Sequence, residues 1–414
     1  MRRGPVTARG VAAVVAGLVC MTAANVLAAP LLLYLGVLLI VLVLVAAIVV
    51  HAPHRDGTVT RTVAADLLSV RESSTVLLRI DLRSPFPPPV GTWTDALPAA
   101  VEGPASGEFP PAGARSGRLS EGIPLTLTYE IEGLRRGLWA LGPLTVTTTD
   151  PFGLIRRRQE FGDARPITVV PEVVTIPALR DRAGLAGGTA QTSSQRLGQG
   201  ADNLTPRRYV SGDAMRRIHW RATAHRGDLM VRQEEQESSP DALVVLDRAG
   251  ARWPGSRAGT ATADPSFERA VSAAASIALH LADHGYAVDV VDATGAMIGR
   301  LRGADDDRDG LLVALAAVAP RRGEHDDGLP ATHGAHVLGP LIVLTGSLST
   351  ADAAVLSPGG AATPVLLATD PAPGAIDALA ANGWLGGALD EDVAGSWADA
   401  VPTPRGEGAS GVRR

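Results

Sequence analysis

The chain has 414 residues, 46% of them hydrophobic, and a formal net charge of −5. That balance excludes a broadly basic nucleic-acid-binding face. All 38 basic residues are arginine, which excludes lysine-nucleophile and Schiff-base chemistry. The single cysteine, Cys20, excludes a disulfide framework or a cysteine-based zinc site within one chain.

Residues 1–9 carry Arg2, Arg3 and Arg9 and read as a cytoplasmic tail. Residues 10–50 hold two uncharged apolar runs, Val11 to Ala28 and Leu31 to Val50, broken by Ala29-Pro30. Each is about the length that crosses a bilayer core, so together they predict a transmembrane helical hairpin. A cleaved signal peptide ending near Ala28 is the alternative for the first run. Arginines stand before the first run and, as Arg55 and Arg61, after the second, with none in the connection. The positive-inside bias then places the amino terminus and the soluble domains in the cytoplasm.

Residues 55–178 carry short Thr-, Val- and Leu-rich runs with period-two alternation and read as a small β-sandwich-like domain. Within them the Pro- and Gly-dense Pro85–Gly117 stretch reads as loop. Residues 179–200 are rich in Gly, Ser and Gln and read as a linker or mobile loop. From 201 to 400 the period changes. Apolar runs ending at Asp247, at Asp292 and in "LGPLIVLTG" and "TPVLLATD" alternate with helical segments, one of them Pro265–Gly285. That alternation predicts a doubly wound parallel α/β sheet. The acidic "GADDDRDG" at Gly303–Gly310 reads as a helix start rather than a calcium loop, since the loop's terminal glutamate is missing. Residues 401–414 read as a disordered tail. The fold class is thus α+β and multi-domain.

The densest chemistry lies in "RRYVSGDAMRRIHWRATAHRGDLMVRQEEQE", Arg207 to Glu237. Asp213 can cap a short helix through Trp220 on which Arg217 and Arg221 share a face. Ile218, Trp220, Leu229 and Val231 are expected to be apolar anchors against the sheet. The arginines form either an anion or acidic-partner site or an internal ion-pair network with Asp213, Glu234, Glu235 or Glu237. His219 and His225 make a weak metal signal, lacking a carboxylate motif. P-loop, Gly-x-Ser-x-Gly and His-Glu-x-x-His patterns do not occur.

This stretch resembles the signature of the bacterial domain of unknown function 58 family. The matching positions are Arg207 or Arg208, Tyr209, Gly212, Asp213, Arg217, Ile218, Trp220, Ala224, Leu229, Val231, Arg232 and Glu237, with Arg221 inside the motif. A second stretch, "RRGLWALGPLTVTTTDPFGLIRRR" at Arg135–Arg158, resembles the family's upstream segment. The resemblance implies a von Willebrand factor A-like α/β domain after the motif and pairing with a MoxR-type AAA+ ATPase. It departs from a metal-binding A domain at Asp247. There Asp-x-Ser-x-Ser would be needed, and Asp247-Arg248-Ala249-Gly250-Ala251 stands instead, so the site is degenerate and no metal or other cofactor is expected. The function these readings support is a two-pass, membrane-anchored cytoplasmic interaction scaffold serving cell-envelope or complex-assembly processes. The alternatives are a hydrolase using His219 or His225 with Asp213, and a metal-dependent adhesion-type A domain.

Overall fold

The computed structural model describes residues 5–51, 56–83, 91–109, 124–179, 204–208, 220–234, 241–253, 255, 264–321, 329 and 339–401. They fall into two compact units, 1–173 with 312–318 and 174–311 with 319–414. Apart from Leu179, the expected linker at 179–200 lies outside the described residues, as does the expected tail beyond Val401.

The first unit opens with α1 (Ala8–Leu27) and α2 (Pro30–His51). Both are long and apolar enough to cross a membrane, with mean hydropathies of 2.1 and 3.3. Ala28 turns the chain in the left-handed region, and Pro30 opens α2, where its missing N–H is one the first turn leaves unused anyway. Gly10, Gly17 and Ala24 are buried on α1, and Gly36, Val43 and Val50 on α2. Their spacing of seven makes one seam on each helix. A Cβ on Gly36 would stand 2.7 Å from the Gly17 carbonyl oxygen, so the backbones meet where no side chain intervenes. Most remaining apolar side chains, Leu31 and Tyr34 among them, are exposed.

Eleven strands follow, β1 (Asp56–Val63), β2 (Leu68–Ser69), β3 (Ser73–Arg83), β4 (Gly91–Asp95), β5 (Val101–Glu102), β6 (Ser106–Phe109), β7 (Pro124–Gly133), β8 (Gly137–Leu141), β9 (Leu144–Thr149), β10 (Arg156–Phe161) and β11 (Arg165–Val170). They build three sheets, β1-β3-β7-β5, β10-β9-β4-β6 and β2-β11-β8. Leu78, Ile80, Leu127, Ile131, Leu144 and Val169 belong to their common core. The stretch expected to be loop contains β4, β5 and β6. In β4 Trp93 and Asp95 alternate inward while the threonines face out, a pattern too short to stand out among flanking prolines. β10, sequence RRRQEF, shows no apolar alternation. It is held by antiparallel pairing with β9 from Arg156↔Thr149 to Phe161↔Leu144.

The second unit begins with an antiparallel pair, β12 (Leu204–Arg208) and β13 (Met230–Glu234), with α3 (Trp220–Arg226) between them in sequence. The main sheet comprises β14 (Asp241–Leu246), β15 (Ala287–Asp292), β16 (Met297–Leu301), β17 (Pro340–Leu348), β18 (Thr363–Pro371) and β19 (Leu385–Ala388), in the order β16-β15-β14-β17-β18-β19. All neighbours are parallel except the β15–β16 edge hairpin. The central strands are buried along nearly their whole length, which explains their unbroken apolar runs. The helices are α4 (Pro265–Asp283), α5 (Asp305–Ala317, whose residues from 312 onward count with the first unit), α6 (Thr350–Val355), α7 (Ala375–Ala381) and α8 (Val393–Ala400). α4 starts on an Asp264 side-chain cap with Pro265 in its first turn, and Gly285 beyond it has φ 85°. β15 flanks β14 on one side and β17 on the other, so the strand order reverses between β14 and β17. Open α/β sheets offer a crevice at the carboxyl ends of the strands at such a point.

Candidate functional site

That carboxyl edge carries two arginine–carboxylate clusters. Asp247 follows β14 directly and is buried. Its Oδ1 accepts from the Ala249 N–H at 2.8 Å, and its Oδ2 accepts from the Thr345 hydroxyl of β17 at 2.8 Å. The Nε of Arg252 lies 3.2 Å from the same Oδ2. Arg252 sits in a short 3-10 turn, Gly250–Arg252, and its side chain is only 2% exposed. Its Nη1 reaches the Ser347 carbonyl and Asp352 Oδ2, both at 3.2 Å. Asp352 also closes the capping box of α6 with Ser349. A guanidinium therefore bridges two carboxylates where the strand order reverses. The turn is pinned from below by Trp253, fully buried, whose indole N–H donates to the Asp247 carbonyl at 3.2 Å. Gly346 permits this approach, since a Cβ there would come within 2.1 Å of the Arg252 carbonyl oxygen.

The second cluster stands at the end of β15. The Asp292 side chain is 1% exposed. Its Oδ1 accepts from the Thr294 N–H and hydroxyl and the Ala296 N–H, at 3.0, 2.7 and 3.1 Å. Its Oδ2 faces Arg248 at 3.4 Å and pairs with Arg321. Arg321 and Arg248 are held together by their backbones, the Arg321 N–H donating to the Arg248 carbonyl at 2.6 Å. The carboxylate is hidden while Arg248 and Arg321 are 25% and 44% exposed, so this edge presents cations. Burial alone would raise the Asp292 pKa. Hydrogen bonds from Thr294 and Ala296 and the charge of Arg321 outweigh it and hold the carboxyl below its ordinary value. Asp352 follows the same logic, with burial opposed by Ser349 and Arg252.

Among the described residues no three His, Cys, Asp or Glu side chains converge as metal ligands. Both Asp247 oxygens are already engaged, by the Ala249 N–H and the Thr345 hydroxyl, and Oδ2 is ion-paired with Arg252. The arrangement suits charge-assisted recognition of an anionic group better than coordination.

Of the residues singled out in the signature stretch, Tyr209, Gly212, Asp213, Arg217, Ile218, His219 and Glu237 lie outside the described residues. So do the side chains of Arg208, Arg221 and Arg232, although their backbones are placed. Arg208 ends β12 in register with Met230, and Arg232 on β13 pairs with Pro206. Arg221 lies in the first turn of α3. Trp220 and Leu229 correct the expectation of burial, because Trp220 opens α3 with 68% of its surface exposed and Leu229, just before β13, is 43% exposed. The side chain of Val231 lies outside the described residues. Among the described side chains of this segment Met230 is buried, and its N–H donates to the Thr223 hydroxyl at 3.0 Å. His225 is exposed.

Arg252, Asp292, Arg321, Thr345 and Asp352 are not signalled by any motif. One available sign is that "ALVVLD" and "AVDVVD" both end an apolar strand on aspartate, which puts Asp247 and Asp292 at the same edge.

The upstream stretch is placed in full. Arg61 and Asp95 form a buried fork, with Nη2 to Oδ1 at 2.7 Å and Nε to Oδ2 at 3.0 Å. The Tyr129 hydroxyl donates to Asp95 Oδ2 at 2.7 Å. Burial, with that hydrogen bond, keeps the hydroxyl protonated far above the ordinary tyrosine range. Gly142 has φ 95°, and a Cβ on it would stand 2.3 Å from an Arg61 nitrogen. The Gly-Pro of the motif thus covers this guanidinium.

Comparison with known proteins agrees with the resemblance carried by the signature. Residues 205–334 match the family model described as "Protein of unknown function DUF58". The chain is also 23% identical over 240 residues to the "Uncharacterized protein YeaD" of Bacillus subtilis (strain 168). That match covers 57% of this chain and 55% of the relative, so the chain spans about half the length of the protein it resembles.

Proposed function

We propose that this chain, which carries a DUF58 family domain over residues 205–334, is a membrane-anchored interaction scaffold. The apolar hairpin holds it in the bilayer with its amino terminus and folded units in the cytoplasm. The α/β unit, a von Willebrand factor A-like domain in this reading, docks a protein partner at the carboxyl edge of its sheet. What supports the A-like reading is the parallel order with one antiparallel edge strand and an aspartate closing β14. The observation that carries the docking reading is the Arg252 guanidinium on Asp247 at the switch point, beside the partly exposed Arg248–Arg321 pair. An edge whose carboxylates are already neutralised recognises a partner's acidic side chains without a bridging cation.

The partner's identity as a MoxR-type AAA+ ATPase, and a role in cell-envelope or complex assembly, rest on the family resemblance alone. Affinity capture of the full chain from native membranes should enrich an AAA+ ATPase. Arg321→Gln, which keeps Asp292 paired through Arg248, should reduce that enrichment. Equal capture by the variant, or no ATPase with either, overturns the docking reading. A reporter fused after Arg414 should be active only as a cytoplasmic fusion, and an extracytoplasmic signal overturns the orientation.

A further inference from the structure

The Asp-Pro-Phe-Gly-Leu turn of the upstream motif is bolted to the open end of the apolar hairpin. Asp150 is buried and closes the turn, its carboxylate accepting from the Phe152 N–H at 2.9 Å and the Ile155 N–H at 2.6 Å. The start of α1 is attached to it. The Thr7 hydroxyl donates to the Gly153 carbonyl at 2.6 Å, the Thr7 N–H donates to the Leu154 carbonyl at 2.9 Å, and Val6 bridges Ile155. Gly10 allows the contact, because a Cβ there would lie 2.3 Å from the Leu154 carbonyl oxygen. The end of α2 is attached as well. Leu154 and Ile155 pack with Val43, Ala46 and Val50, and Arg157 donates to the carbonyls of Val50 and His51 at 3.1 and 3.3 Å. Those are carbonyls the last turn leaves without helical donors.

These contacts set a depth. α1 has 20 residues and is about 30 Å long, the thickness of a bilayer's hydrocarbon core. The whole helix is needed to cross, so Thr7 and His51 fall at the boundary of one leaflet, and the turn bonded to both falls there too. Phe152, at the tip of this turn, is 60% exposed although it is among the largest apolar side chains of the unit. Arg9 lies alongside, its Nη1 3.4 Å from where a Gly153 Cβ would be. An exposed ring at helix-end depth, flanked by a guanidinium, has the composition of an interfacial anchor: the ring in the headgroup–acyl boundary, the cation on lipid phosphate.

We infer that the Asp150–Ile155 turn is a lipid-binding seat, with Phe152 inserted at the headgroup–acyl boundary of the leaflet that α1 and α2 enter and Arg9 against the phospholipid phosphates. The β unit is thereby fixed on the membrane surface rather than tethered by a free segment. The inference rests on the membrane-anchor reading above.

Nitroxide labels placed by Phe152→Cys, Val41→Cys and Leu77→Cys, each in a full-length Cys20→Ser background, test it in phosphatidylcholine–phosphatidylglycerol vesicles. Val41, mid-α2, is 48% exposed, and Leu77, on β3, is 41% exposed. Leu77 pairs with Thr62, six residues along β1 from Asp56 and therefore roughly 20 Å along the strand from its start. The ratio of oxygen to aqueous nickel-chelate collisions should be highest at position 41, lowest at 77, and several-fold above the latter at 152. A label at 152 as nickel-accessible as that at 77, with 41 still in lipid, overturns the seat while leaving the anchor intact. Water-like ratios at all three positions overturn the anchor and the seat together.

Discussion

Each unit buries an arginine on an aspartate, and the two places differ in what surrounds the pair. In the β unit, Arg61 and Asp95 lie on strands inside the core, 2% and 0% exposed at their side chains, with Tyr129 and the Asp163 carbonyl completing the donors and acceptors. In the α/β unit, Arg252 and Asp247 are as deeply buried, but they sit at the strand ends. Their network runs outward to Asp352, 31% exposed, and is flanked at the same edge by the partly exposed Arg248 and Arg321. The Arg61–Asp95 fork is a lock, because both side chains are enclosed in the core and nothing outside it can reach them. The same chemistry at a sheet's carboxyl edge lies beside guanidinium groups, those of Arg248 and Arg321, that are partly open to solvent. Burial of the pair by itself is thus no sign of function; what sets the second pair apart is its place at the carboxyl edge of a parallel sheet, beside groups that are partly open to solvent.

The largest effect expected from breaking this comparison is at the lock. Asp95→Ala leaves Arg61 buried without its fork and should cost about 3–5 kcal/mol, read by pulse proteolysis of the full chain. The double change Arg61→Met with Asp95→Leu should lose less than the single one, because two buried charges then leave together. If the double variant is the worse of the two, the fork is net stabilising and the lock is more than a steric device.

Arg252→Met should cost less, about 2–3 kcal/mol, because Asp247 keeps Thr345 and the Ala249 N–H while Asp352 retains its solvent contact. A loss as large as that of Asp95→Ala would show that the strand-end cluster is also a lock.

The next effect depends on pH. Asp292 is held below the ordinary carboxyl value in the folded chain, whereas it titrates near about 3.9 when unfolded. The unfolded state therefore binds the proton first. The contribution to stability is fully present above about pH 4 and is lost as pH falls through the folded value. Unfolding of the full chain between about pH 5 and pH 2 should steepen through this window, and Asp292→Asn should flatten that slope. An unchanged slope would mean that Arg248 and Arg321 hold the site whatever the charge beneath them.

The smallest effect is expected at Trp220. Its exposure puts Trp220→Ala within about 0.5 kcal/mol, whereas Trp253→Ala, fully buried against Phe267 with ring centroids 5.1 Å apart, should cost about 3–5 kcal/mol. A large stability loss at Trp220 would mean that the aromatic packs on something in the assembled protein, which would make it part of the interface.

Local pattern by itself was enough for the hairpin, since two uncharged apolar runs of helical length have few other uses, and for the parallel sheet, since strands buried on both faces read as continuous apolar runs. It also marked Asp247 as the aspartate closing the first strand of that sheet. It failed where an element depends on a neighbour. β10 carries three arginines and is a strand only because β9 pairs with it, and β4 is visible only once Trp93 and Asp95 are seen facing the core. Trp220 is the counterpart: an aromatic in a helical turn looks like a core residue, yet which face of a short helix is covered is decided by what packs there. The strand-end clusters belong wholly to tertiary structure. Asp247 meets Thr345 across 98 positions, Arg252 meets Asp352 across 100, and Asp292 meets Arg321 across 29. No local period reports the register that brings β14, β15 and β17 side by side, because that register is chosen by burial of whole strands rather than by the charged residues at their ends.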